Sequence, residues 1–89
     1  MHIEVDWDDA KAEINLRKHG ISFEEAASSL LDPLASAQED DTATGEPRWA
    51  LIGMSTNFRL LTVVYTLRED RIRLISARKA TRSEASSYA

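Results

Sequence analysis

The sequence predicts an α+β fold, an antiparallel β-sheet with two N-terminal helices on one face and a short C-terminal helix. Three observations predict it. RWALIGMS, LLTVVYTL and RIRLISA, between Arg48 and Ala77, each have the length and the apolar, β-branched content of a strand. The connections between them, Thr56–Arg59 and Arg68–Asp70, are short enough for hairpins, so the three form a meander. Helix start and stop signals crowd instead into the first third of the chain.

In chain order, HIEVDW alternates Ile3, Val5 and Trp7 with His2, Glu4 and Asp6, the pattern of a half-buried strand. Asp8 then reads as the N-cap of a helix that ends in Lys18 and His19 before Gly20, with cations placed at the negative end of the helix dipole. Ser22 to Glu25 forms an S-x-x-E capping box with Ile21 as a staple onto Ala26, and Asp32-Pro33 stops this second helix near Leu31. The acidic, polar stretch from Ser36 to Pro47 reads as a mobile loop. In the last strand Ile72 and Leu74 alternate with Arg71 and Arg73, which makes one sheet face basic and leaves the other to the helices. Leu61, Val63, Ile72 and Leu74 are expected to meet Ile14 and Phe23 in the core. Thr81 to Glu84 is a second capping box, T-x-x-E, opening the last helix.

Eighty-nine residues leave room for one domain, and the absence of cysteine removes disulfides and thiolate metal sites. No apolar run of about 18 residues offers a membrane span and no early one a signal peptide, so a cytoplasmic address is expected. The net charge of −4 hides a split: Met1–Pro47 carries −9 and Arg48–Ala89 carries +5. Such asymmetry points to an oriented binding surface, or to two halves that attract each other across the fold.

The element order resembles that of the RelE-like ribonuclease toxins. In detail the chain is similar to the BrnT-type toxins of bacterial type II toxin–antitoxin systems: WDDAKAEINLRKHGISFEEA from Trp7 to Ala26, Gly45-Glu46, Arg48 and Ile52-Gly53, and ISARKATRSE followed by Tyr88. The resemblance implies a toxin that cleaves RNA, blocks translation and is neutralised by a BrnA-type antitoxin encoded beside it. It also implies operator DNA as a partner only through the antitoxin complex, and a homodimer within a heterotetramer.

Metal-free RNA cleavage needs a group that takes the 2′-hydroxyl proton, one that protonates the leaving 5′-oxygen, and cations for the charge on phosphorus. His2 and His19, far apart and without cysteine, make no familiar metal-ligand spacing, so neither metal nor other cofactor is expected. His19 or Glu46 is expected to move protons, and Arg78 and Lys79, between the last strand and last helix, to stabilise the phosphorane. Lys18, Arg48, Arg59 and Arg73 are the expected RNA contacts. Each has a plainer role available: His19 and Lys18 as helix-terminal residues, Glu46 and Arg48 as a rim salt bridge, Arg59 and Arg73 as cross-strand charge, and Arg78 and Lys79 as a pair that binds the acidic loop or the acidic first helix. Trp7, Trp49, Tyr65 and Tyr88 are read as packing residues before base-stacking or proton-donating ones. The competing class is a non-catalytic subunit whose basic face holds an acidic segment of a DNA-binding partner.

Overall fold

The structure, a computed structural model, describes residues 4–40 and 45–88. His2 and Ile3 of the expected first strand, positions 41–44 of the expected loop and Ala89 lie outside the described residues. The elements follow in the order β1 (Glu4–Asp6), α1 (Asp9–His19), α2 (Phe23–Ser29), β2 (Ser36–Asp40), β3 (Arg48–Met54), β4 (Leu60–Arg68), β5 (Arg71–Lys79) and α3 (Arg82–Ser86). The strands form one sheet in the order β1-β5-β4-β3-β2. The meander β3-β4-β5 is antiparallel as expected, but β1 joins β5 in parallel, with Val5 opposite Ile72.

Helix α1 begins where Asp8 accepts the Ala10 N–H at 2.9 Å, and it closes at Gly20, whose φ of 72° suits the residue without a Cβ. Helix α2 starts at Ser22, whose hydroxyl accepts the Glu25 N–H at 3.0 Å, and ends at Ser29. Only half of the first expected capping box forms, because the Glu25 carboxylate turns inward. The second forms completely at Thr81 and Glu84.

Ile21, Phe23 and Ala26 are buried against Leu51, Leu61, Val63, Tyr65, Leu74 and Ala77 of the sheet. Trp7 closes one side, its ring edge-on to Phe23 at 5.9 Å between centroids. Leu74 and Ala77 both face this core although they are three residues apart, which strict alternation forbids. The register shifts between Val64 and Tyr65: Val64 lies opposite Ser76 and Tyr65 opposite Leu74, so Ile75 is an extra residue in β5. The bulge re-phases the strand and keeps Arg73 and Arg78 on the other face, opposite Thr66 and Thr62.

Three further expectations are corrected. Ile14 is 56% exposed, and its neighbour Asn15, 5% exposed, takes the inward position. The segment read as a mobile loop contains a strand: Ser36–Asp40 pairs with Ile52–Arg48. It is an edge strand exposed on both faces, so it lacks the apolar alternation that marks a half-buried one. Strand β5 runs through Arg78 and Lys79, which therefore end the strand rather than follow it.

Candidate active site

Strand β1 covers only Arg71–Arg73 of β5, so the outer edge of β5 beyond Leu74 needs another partner. Asn15 supplies it. Its Oδ1 accepts the Ala77 N–H at 3.0 Å and its Nδ2 donates to the Ala77 carbonyl at 2.8 Å, as a neighbouring strand would, with a further bond to the Ile21 carbonyl at 3.0 Å. This clamp lays α1 along β5. Between them runs a groove of about 180 Å³ lined by Lys11, Ile14, Asn15, Lys18, His19, Ile75 and Ser76.

The C-terminus of α1 thereby reaches the end of the sheet where β5 finishes. The Arg59 guanidinium donates to the Gly20 carbonyl at 3.3 Å, and the Ala80 N–H donates to the Leu60 carbonyl at 3.0 Å. Lys18, His19, Arg59, Arg78 and Lys79 thus belong to one end of the molecule. Among the described residues no ion pair engages the Lys18 or Lys79 ammonium.

Two arginines at this end hold carboxylates. Arg59 grips Glu25 through both carboxylate oxygens, Nε reaching Oε2 at 2.9 Å, and the Ser55 hydroxyl donates to the same oxygen at 2.7 Å. Arg59 holds the Glu25 carboxyl down at about 2 against the opposing effect of burial, with help from Ser55. Arg78 forks onto Glu84 of α3 at 2.7 and 2.8 Å, while Glu84 Oε1 also accepts from Thr62 Oγ1 at 2.9 Å and the Thr81 N–H at 2.8 Å. Arg78 is the main reason that the Glu84 carboxyl lies near 2, again against burial and with the Thr81 and Thr62 bonds contributing. A guanidinium fork that fits a carboxylate in this way also fits a phosphate.

The remaining expected residues lie elsewhere. Glu46 pairs with Arg68 at 3.1 Å. Arg48 stands opposite Asp40, and Arg73 opposite Thr66 on one side and Asp6 on the other, with an Arg73–Asp6 distance of 3.5 Å. This row across the sheet places an acid on each edge strand beside an arginine on an inner one. Lys79 pairs with Leu61 and Arg73 with Thr66, five residues apart on β4 and so about 17 Å at the rise of a strand. Glu46, Arg48 and Arg73 therefore do not share a phosphate with Arg78 and Lys79.

Asn15, Glu25 and Glu84 escaped the sequence reading as members of this site. Glu25 and Glu84 were visible as capping-box acids, but the tertiary partner of each carboxylate had no local signal. Asn15 had none.

The five-stranded sheet with its three helices is a small α+β fold that a solved ribonuclease toxin shares. The structure is similar to the 1.1 Å crystal structure of the Brucella abortus ribonuclease toxin BrnT, with a TM-score of 0.66 and 24% identity, covering 91% of this chain and 100% of that one. Residues 7–84 match the model of the family described as "Ribonuclease toxin, BrnT, of type II toxin-antitoxin system", and the chain belongs to that family. No curated protein matches the sequence. Among the described residues no group of three or more metal-ligating side chains gathers, and no helix is long and apolar enough to cross a membrane.

Proposed function

We propose that the protein is a metal-independent endoribonuclease acting in the cytoplasm, whose cleavage of RNA inhibits translation and which a BrnA-type antitoxin neutralises. The gathering of Lys18, His19, Arg78 and Lys79 at one end of the sheet carries this reading. The 2′-hydroxyl attacks the adjacent phosphorus as its proton leaves, and the 5′-oxygen departs with a proton, giving a 2′,3′-cyclic phosphate and a 5′-hydroxyl. His19 moves protons, Lys79 and Arg78 stabilise the charge on the pentavalent phosphorus, and Lys18 holds the backbone. Glu46 stands too far along the sheet to share that work. Arg48 and Arg73 serve flanking RNA, and Arg59 acts by fixing the Gly20 turn. Operator DNA is reached through the antitoxin complex, in which two copies of the chain pair.

The test is single-turnover cleavage by antitoxin-free protein in EDTA. His19→Ala and Lys79→Ala are expected to lose about 10²–10³-fold in rate with a much smaller change in RNA affinity, the mark of groups that act in the transition state. Strict dependence on an added divalent metal overturns the metal-free mechanism. The Arg78–Glu84 pair favours a second reading, a non-catalytic subunit that holds an acidic protein segment; absence of cleavage by the wild type, together with partner affinity lost in Arg78→Ala, supports it.

A further inference from the structure

The turn between β3 and β4 carries a residue that neither its backbone nor its packing explains. Phe58 has φ of 60°, the left-handed region that a bulky side chain rarely adopts, and its side chain is 88% exposed. Glycine is the residue such a hairpin turn favours at a left-handed position, and solvent gives an aromatic ring no gain in burial.

The turn around it is held by hydrogen bonds. Ser55, 4% exposed, donates its N–H to the Arg59 carbonyl at 2.9 Å, and its carbonyl accepts the Phe58 N–H at 3.0 Å. The Ser55 hydroxyl oxygen accepts from the N–H groups of Asn57 at 3.2 Å and Arg59 at 3.3 Å, and the Thr56 N–H donates to Ser28 Oγ at 3.0 Å. Arg59 is anchored to Glu25 and reaches the Gly20 carbonyl, next to His19. The ring of Phe58 is thus presented to solvent on a fixed support, one residue from the arginine that touches the end of α1.

We propose that Phe58 is a stacking platform for a base of the RNA held at this end of the sheet. The proposal rests on the ribonuclease reading above. A base flanking the scissile phosphate lies flat on the exposed ring, while Lys79 meets the scissile phosphate and Lys18 a neighbouring one. Strain held by surrounding bonds at a solvent-facing aromatic is the form expected of a pre-organised contact. Single-stranded RNA is recognised in this manner, bases stacked on aromatic side chains beside a cationic track.

The experiment measures binding of a short, labelled, single-stranded oligoribonucleotide, 2′-O-methylated to block cleavage, to the wild type and to Phe58→Trp, Phe58→Leu and Phe58→Gly. Phe58→Trp is expected to bind as well as the wild type, and Phe58→Leu and Phe58→Gly about tenfold more weakly, the size of one lost base stack. Glycine accepts the φ of 60°, so Phe58→Gly tests the ring without threatening the fold. With cleavable RNA the loss falls on KM, with kcat retained at saturating substrate. Wild-type RNA binding matched by Phe58→Leu and Phe58→Gly overturns the stacking role alone. If those variants lose affinity for the antitoxin instead, the ring faces protein and the proposal is also overturned. Failure of the wild type to bind RNA overturns both this inference and the ribonuclease reading.

Discussion

Asn15 shows how one side chain can stand in for a strand. Helical period offers Ile14 to the core, yet the β5 edge needs a donor and an acceptor in one plane, and a carboxamide provides both. Truncation to alanine leaves the Ala77 N–H, the Ala77 carbonyl and the Ile21 carbonyl without this partner in a buried position. Asn15→Ala is expected to cost about 3 kcal/mol, read from urea unfolding, a few times the net value of one hydrogen bond. A loss below about 1 kcal/mol shows that water replaces the amide freely. His19, Lys79 and Arg78 were legible as candidates because a cation before a helix-ending glycine, or at a strand end, is a local feature. Their grouping depends on Asn15, and no local pattern shows a side chain pairing with a backbone 62 residues away.

Among the elements, the capped helices and the three meander strands were legible because caps and alternation are short-range signals. Strand β2 was not, since an edge strand exposed on both faces can be polar throughout, and neither was the bulge that places Ala77 beside Leu74 in the core. Contact between α2 and β3 depends on Gly53. A Cβ there falls 2.7 Å from the Ser29 carbonyl oxygen and 3.2 Å from the Ala35 Cβ, and the nearer atom is backbone. Gly53→Ala is therefore expected to lower stability by about 1–3 kcal/mol through overpacking, measured by thermal melting. An unchanged melting temperature means that the α2–β3 spacing relaxes without strain.

At the scale of the whole molecule, the charge split between the two halves is met in part by pairing: Glu25 with Arg59, Glu46 with Arg68, and Asp6 with Arg71 and Arg73. Acid should undo part of this. The Glu25 and Glu84 carboxyls lie near 2 in the folded chain against an ordinary 4.5, so their stabilisation is full above about pH 4.5 and is lost as pH falls toward 2. Melting temperatures measured from pH 5 to pH 2 are expected to fall through that window, and Glu25→Gln should flatten the drop. RNA affinity is expected to decline linearly with salt on logarithmic axes, with a slope set by the number of cations that meet phosphates; a zero slope would remove phosphate contacts from the site. Asn15 also affects behaviour at high concentration. Part of the β5 edge is occupied by the chain's own helix, while the β2 edge carries Glu39 and Asp40. A second copy approaching β2 with the same edge meets its own negative charge, so growth of the sheet from chain to chain, the first step of aggregation, is discouraged by a side-chain amide on one flank and by repulsion on the other.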